Sequence, residues 1–174
     1  MQIAVVTISD RASRGEYEDK SGPAIERWLE QALSSSYRVV RKVIPDGFES
    51  VRDTLIDLCD KENVDLVLTT GGTGPSPRDL TPEAMKAVMT KELPGFGELM
   101  RKVSLEEVPT AILSRQTAGI CSKTLIINLP GKPDAIKTCL DAVFPAVPYC
   151  LDLIGAGHIE TDARVLESFR PRAK

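Results

Sequence analysis

The chain alternates between two periods of hydrophobicity. IAVVTI, from Ile3 to Ile8, is a continuous run of mainly apolar and β-branched residues. That pattern predicts a strand buried on both faces, as in a parallel sheet. A polar stretch, SDRASRGEYEDKSG, reads as a loop, and Gly22-Pro23 opens a helix with Pro in its first turn. Ile25, Trp28, Leu29, Ala32 and Leu33 recur at helical spacing as its inner face, and Ser34 to Ser36 end it. Tyr37 to Ile44 alternates and predicts a strand nearer an edge. Pro45-Asp46-Gly47 turns the chain, and Val51, Leu55, Leu58 and Cys59 mark the next helix.

Asp65 to Thr69 predicts a third strand. It runs into TTGGTGPSPRD, a loop with three glycines, two prolines and a closing acid. Thr81-Pro82-Glu83 has the features of a helix start: a hydroxyl cap, Pro at the first position and an acid in the first turn. Phe96, Leu99, Met100 and Val103 form a further helical stripe after Pro94-Gly95. Thr110 to Leu113 predicts a short strand and Thr124 to Leu129 a clearer one, ending in Pro130-Gly131. Ile136, Cys139, Leu140, Val143 and Phe144 mark a helix, and Pro145 and Pro148 open a last one through Ile154. From about Gly155 periodicity fades into a short irregular tail. Alternating strands and helices predict one domain over residues 1–174 with an α/β fold: a three-layer sandwich whose central sheet is mostly parallel, with helices on both faces.

In such a sheet, ligands bind beyond the carboxyl ends of the strands, where strand order reverses. The polar residues that follow the predicted strands therefore matter as a group. They are Ser9, Asp10 and Arg11; then Asp46; then Gly71, Gly72, Thr73 and Gly74 with Asp79; then Ser114, Arg115 and Gln116; and finally Asn128, Pro130 and Gly131. Taken singly, Asp46 also suits a turn and Asp79 a helix start. Two glycine motifs are excluded. A P-loop ending at Gly131-Lys132 would need Ser or Thr where Pro133 stands and Gly where Ile126 stands. A dinucleotide fingerprint starting at Gly72 would need Gly where Pro77 stands.

Composition narrows the field. With 174 residues, 42% hydrophobic and 27% charged, the chain suits a soluble domain with a full core. A net charge of −3 lacks the basic excess of a nucleic-acid binder. Backbone amides can still bind an anion. The four cysteines contain no C-x-x-C pair and read as reduced, small hydrophobes. The single histidine, His158, falls in the tail, which argues against a zinc site or a Ser-His-Asp triad. No apolar run is long enough for a signal peptide or a membrane span, so the cytoplasm is the expected compartment, with no membrane or nucleic-acid partner.

TTGGTGPSPRDLTPEA, with VVTISDRASRGEYEDKSGP, PGFGELMR, TAILSRQTAG and LIINLPGKP, closely resembles the molybdopterin adenylyltransferase family of molybdenum-cofactor biosynthesis. That family includes the bacterial enzyme MogA and the G domain of gephyrin. The resemblance runs from the first strand to the last helix. It implies a three-layer α/β fold, usually trimeric, and transfer of AMP from ATP to the terminal phosphate of molybdopterin with Mg²⁺. It implies no tightly bound organic cofactor, and a handover of product to the molybdate-inserting enzyme. By motif, Asp46 and Asp79 match the key acidic, metal-associated positions. Gly71, Gly72, Thr73 and Gly74 match the phosphate loop, and Ser9, Asp10, Ser114, Asn128, Pro130 and Gly131 match other rim positions. The segment between Leu140 and Pro148 is shorter than in bacterial members with a hairpin-like insertion there, which bears on trimer contacts. Related readings within the resemblance are a molybdopterin- or precursor-binding protein without transferase activity, and a trimeric scaffold domain.

Overall fold

The strands that read as doubly buried lie at the centre of the molecule. A computed structural model describes residues 1–171. Among them, β1 (Gln2–Ile8), β2 (Arg38–Ile44), β3 (Leu66–Thr70), β4 (Lys91–Glu92), β5 (Ala118–Cys121) and β6 (Thr124–Leu129) form one sheet in the order β2-β1-β3-β6-β5-β4. The first four in that order are parallel, and β5 and β4 add antiparallel pairings at one edge. All five residues of β3 and all six of β6 are buried, whereas edge strand β2 alternates.

Helices α1 (Asp10–Ser13), α2 (Ser21–Ala32), α3 (Phe48–Ile56), α4 (Thr81–Val88), α5 (Pro94–Leu105), α6 (Pro133–Val143) and α7 (Val147–Ile154) connect the strands. One face of the sheet packs Ile3, Val5, Leu66, Leu68, Leu125 and Ile127 against α2, α5, α6 and α7. The other packs Ala4, Val6, Val67 and Ile126 against α3 and α4. The sandwich is thus three-layered, as the alternation of elements predicts. Trp28 is buried in the first layer, its ring 4.7 Å from that of Phe144 and its Nε1–H donating to Asp141 Oδ1 at 2.8 Å. Cys59, Cys121 and Cys139 are buried and Cys150 half-buried, none in a disulfide. Burial pushes the Cys59 thiol up to about 12, so it stays protonated and unreactive at neutral pH.

Several elements differ from the sequence expectation. Thr110 to Leu113 is not a strand: Pro109–Leu113 is a 3-10 turn with Ile112 and Leu113 exposed. A short apolar run does not distinguish strand from helical turn by periodicity, and Pro109 supplies the fixed φ of a helical first position. Leu99 is exposed, and the buried face of α5 is Gly97, Met100 and Ser104. The loop after β1 contains the one-turn α1, and two short strands, β4 and β5, carry too few residues to show a period. The tail is irregular, as expected, but it is docked on the domain. Ile159 is fully buried, Thr161 bridges Leu33, and the Asp162 amide donates to the Ala32 carbonyl at 2.8 Å. Arg170 fastens this segment by donating to the Ile159 carbonyl (2.8 Å) and to Asp152 Oδ2 (2.5 Å).

The tail therefore belongs to the core. Ile159→Ala is expected to lower unfolding free energy by about 2–5 kcal/mol, as for other buried truncations of this size, measured by urea denaturation. A change below about 0.5 kcal/mol, the range of ordinary surface substitutions, would place the tail outside the cooperative unit.

Candidate functional site at the strand ends

The sheet register fixes where the polar residues emerge. Ile8 pairs with Ile44, Thr7 with Thr70, and Thr70 with Leu129, so β1, β2, β3 and β6 end at one level. The chain leaves β1 for β2 on one side and later enters β3 on the other. Strand order reverses between β1 and β3, and the crevice there is the expected ligand position of an open α/β sheet. Ser9 and Gly71 are the first residues on either side of it.

Two glycines allow the loop after β3 to fold over β1. Gly71 and Gly72 have φ of +99° and +66°, in the left-handed region. A Cβ on Gly71 would stand 2.3 Å from the Ile8 carbonyl oxygen, and one on Gly72 would stand 2.3 Å from Thr81 Oγ1. A side chain at either place would collide, and at Gly71 the obstacle is backbone. The Gly71 amide donates to the Leu129 carbonyl at 3.3 Å. The next three amides, those of Gly72, Thr73 and Gly74, donate to no protein acceptor among the described residues. Successive amides in a turn of this kind form an anion-binding nest.

The acids flank this loop. Asp10 and Asp46 bind reciprocally: the Asp10 amide donates to Asp46 Oδ2 (2.8 Å) and the Asp46 amide to Asp10 Oδ1 (3.1 Å). Arg78 donates through Nε and Nη2 to the Asp10 carboxylate at 3.0 and 2.9 Å, and through Nη2 to the Asp46 carbonyl at 2.8 Å. The Arg78 guanidinium holds the Asp10 carboxyl below its usual range. Asp46 goes the other way: burial raises its pKa, and the neighbouring charges of Asp10 and Asp79 add to the shift. Asp79 Oδ2 accepts from the Ser76 amide at 3.1 Å and lies 2.8 Å from the Cβ position of Gly74. Asp46 Oδ1 lies 3.3 Å from that of Gly72. The two acids singled out by motif thus border the same short segment, Asp46 at Gly72 and Asp79 at Gly74.

Other predicted residues take different places. Ser9 caps α1, its Oγ accepting from the Ala12 amide at 3.2 Å. Thr73 is buried, with its hydroxyl 3.5 Å from Ser114 Oγ, and Ser114 also donates to Gln116 Oε1. Pro130 accepts from Thr70 Oγ1 (2.8 Å), and the Gly131 carbonyl accepts from Ser21 Oγ (2.7 Å). Asn128 is set back beneath the rim, fully buried, with Nδ2 donating to Thr69 Oγ1 at 3.1 Å and Oδ1 lacking a partner among the described residues. Thr81 is not a helix cap. It is the first residue of α4, its amide donating to the Gly72 carbonyl (3.1 Å) and its hydroxyl to the Gly71 carbonyl (3.1 Å).

Sequence reading gave no role to Asp19. Its Oδ1 accepts from the Ser21 and Gly22 amides at 3.1 and 3.0 Å, and its Oδ2 from Thr7 Oγ1 (2.7 Å) and Arg41 (2.8 Å). Burial alone would raise its pKa, but these hydrogen bonds outweigh it and the net shift is downward. The usable signal was an acid two residues before a Ser-Gly-Pro helix start.

Two cavities meet at Gly131. One, about 230 Å³, is lined by Ser9, Arg11, Asp19, Lys20, Gly71 and Gly131 among others. The second, about 180 Å³ and more apolar, involves Val108, Thr110, Ser114, Gln116, Gly131 and Lys132. Larger depressions of about 430 and 410 Å³, between α2 and α6 and at the amino end of the sheet, do not gather the strand-end residues.

A magnesium ion suits the donor set. Asp46 and Asp79 each use only Oδ2 in a protein hydrogen bond, leaving Oδ1 without a donor among the described residues. No group of three or more His, Cys, Asp or Glu is poised for a metal among those residues. Mg²⁺ does not require one, because it is commonly bound through one or two carboxylates with phosphates and water completing the shell.

The Asp46 carboxyl, raised by burial, makes folding less favourable as pH climbs through the carboxylate range. Its stabilising contribution is complete below the unfolded-state value and lost above the folded one. Asp46→Asn retains an acceptor for the Asp10 amide and is expected to raise the thermal midpoint at pH 7 relative to wild type. The difference should vanish by about pH 3, where the carboxyl is protonated in both states. A lower midpoint at pH 7 would contradict this.

Residues 4–149 match the model of a probable molybdopterin binding domain. The chain is 53% identical to the molybdopterin adenylyltransferase of Helicobacter pylori strain J99, over 99% of this chain and 98% of that one. It is 46% identical to the molybdopterin adenylyltransferase of Escherichia coli K12, over 99% and 95%. The crystal structure of the molybdopterin biosynthesis enzyme MoaB from Thermus thermophilus superimposes with a TM-score of 0.82 at 39% identity, covering 91% of this chain and 99% of that one. With its glycine loop and paired acids at the switch point of the same fold, the chain belongs to the molybdopterin adenylyltransferase family.

Proposed function

We propose that the protein joins the AMP unit of ATP to the terminal phosphate of molybdopterin, releasing pyrophosphate, with Mg²⁺ bound by Asp46 and Asp79. The observation that carries this reading is the run of three amides, Gly72 to Gly74, unpaired among the described residues, in a segment bordered by those two carboxylates. Full-length identity to named adenylyltransferases supports it independently.

The chemistry asks little of acid–base groups. A phosphate oxygen of molybdopterin attacks the α-phosphorus of ATP. A P–O bond forms there, and the bond to the pyrophosphate oxygen breaks. The nucleophile is already anionic at neutral pH, so no strong base is required. The obstacle is the approach of two polyanions. Bound Mg²⁺ would neutralise phosphate charge, and Asp46 and Asp79 would hold it. The amides of Gly72 to Gly74 would donate to phosphate oxygens without reorganising, because the loop's shape is set by glycine geometry and by contacts with β1, β6 and α4. The two cavities that share Gly131, one of which also reaches Gly71, are the places this reading gives to the two substrates. Alignment of two such reactants is worth up to about 7–11 kcal/mol of barrier.

The same reading takes the enzyme as a cytoplasmic homotrimer that passes its product to the molybdate-inserting enzyme. Leu105, Val108, Ile112 and Leu113 are exposed together at the end of α5 and in the following turn. Clustered apolar surface of this kind supports a contact between copies. Among the described residues no helix is long and apolar enough to cross a membrane.

The test is pyrophosphate release from ATP. Wild type should require both Mg²⁺ and molybdopterin. Asp79→Asn, which keeps an acceptor for the Ser76 amide, should fold normally yet lose about 100-fold or more in rate, equivalent to roughly 2.7 kcal/mol of transition-state stabilisation. Wild-type turnover in that variant would remove Asp79 from the mechanism. Molybdopterin binding without pyrophosphate release by wild type would favour a binding protein.

A further inference from the structure

Arg115 stands out because it faces the glycine loop and points none of its described hydrogen bonds into the crevice. Its backbone amide donates to the Thr73 carbonyl at 2.8 Å. Its Nε donates to the Gly74 carbonyl at 3.0 Å and its Nη2 to the Asp79 carbonyl at 2.6 Å. The remaining edge of the guanidinium pairs with the Glu83 carboxylate in the first turn of α4. One residue thus supplies donors to three carbonyls of the segment 73–79 and ties that segment to the helix behind it.

The segment needs such donors. Pro75 and Pro77 have no N–H, so they remove two of the bonds by which a loop of this length could brace itself. Its own bracing is a single turn, in which the Asp79 amide donates to the Ser76 carbonyl at 3.0 Å and the Ser76 amide donates to Asp79 Oδ2 at 3.1 Å. That turn sets the direction of the Asp79 side chain. Arg115 grips the chain on both sides of it, at Gly74 before and at Asp79 itself after. On the far flank, Arg78 holds the same loop to Asp10. The guanidinium is planar and forked, so it can reach Gly74, Asp79 and Glu83 at once. A lysine ammonium, a point donor on a flexible stem, cannot serve three directions from one place.

We infer that Arg115, braced by Glu83, is the positioning residue for Asp79: it fixes the proline-containing half of the loop so that the carboxylate stays aimed beside the amides of Gly72 to Gly74. The assignment of a role in metal–nucleotide binding rests on the reading of the site as an adenylyltransferase. The fixing of the loop does not.

Arg115→Lys tests both parts. Hydrogen exchange on the nucleotide-free protein reads the grip directly, because the Ser76 and Asp79 amides close the turn. They should exchange at least about tenfold faster in the variant, while the β3 amides of Leu66 to Thr70 remain as slow as in wild type. Titration with Mg²⁺ and α,β-methylene-ATP, which cannot release pyrophosphate, reads the consequence. Arg115→Lys and Asp79→Asn should each weaken binding about tenfold, and the double variant should bind no worse than Asp79→Asn alone, since residues acting through one another are non-additive. Unchanged exchange at Ser76 and Asp79 would overturn the grip. Additive losses in the double variant would overturn action through Asp79. Faster exchange in a protein whose wild type fails to bind Mg²⁺ and the nucleotide analogue would instead overturn the functional reading and, with it, the role given to Asp79.

Discussion

The structure depends on one close approach. The loop leaving β3 passes over the carboxyl end of β1 so tightly that a single methyl group on Gly71 would meet the Ile8 carbonyl at 2.3 Å. Only a residue without a side chain, in a backbone conformation that other residues rarely adopt, allows this. From that contact the rest follows. Gly72 can turn back beneath Thr81, whose amide and hydroxyl take the Gly72 and Gly71 carbonyls. The beginning of α4 is thereby fixed to the loop, and the amides of Gly72, Thr73 and Gly74 are left without acceptors among the described residues. The crevice at the switch point becomes a surface of backbone donors.

The charges around the loop are arranged unusually for a site expected to receive phosphates. Arg78, within the loop, and Arg115, bonded to it, are committed to protein carboxylates and carbonyls. They shape the loop, and Arg78 neutralises Asp10, but they reach Asp46 and Asp79 only at their backbone carbonyls. Asp46 bears the consequence, with its pKa raised by burial and by its acidic neighbours. In the proposed reaction Mg²⁺ would lie between Asp46, Asp79 and the substrate phosphates and offset this repulsion. Local stability is therefore given up where function needs charge, a recurrent property of binding sites.

What was legible in the sequence was the set of strand ends. IAVVTI and TLIINL are apolar enough to declare buried strands, and a parallel sheet brings whatever follows them to one rim. The glycine loop and its acids were visible for the same reason. The 114–116 segment reached the rim even though Thr110 to Leu113 is a helical turn and not a strand, because its position is set by the Arg115 amide bonding to Thr73, 42 residues earlier in the chain by number. That bond, like the pairing of Asp10 with Asp46 and the reach of Arg115 to Asp79, links residues far apart in sequence, and no local pattern encodes it. Asn128 reads as a rim residue because it nearly ends its strand, yet it is fully buried and its Nδ2 donates to Thr69 Oγ1 on β3. The tail lacked periodicity because its core contacts are few and irregularly spaced: Ile159 is fully buried, and Ala156 and Leu166 pack partly against the same cluster.

The central claim is that the rim at the ends of β1, β3 and β6 is where nucleotide and metal meet. Amide chemical-shift mapping with Mg²⁺ and α,β-methylene-ATP addresses it most directly. The account predicts the largest shifts at Gly71 to Gly74, with further changes at Ser9, Asp46 and Gly131. Shifts centred on the opposite pole, at Asn63 to Asp65 and Ser122 to Thr124, with the glycine loop unmoved, would contradict it.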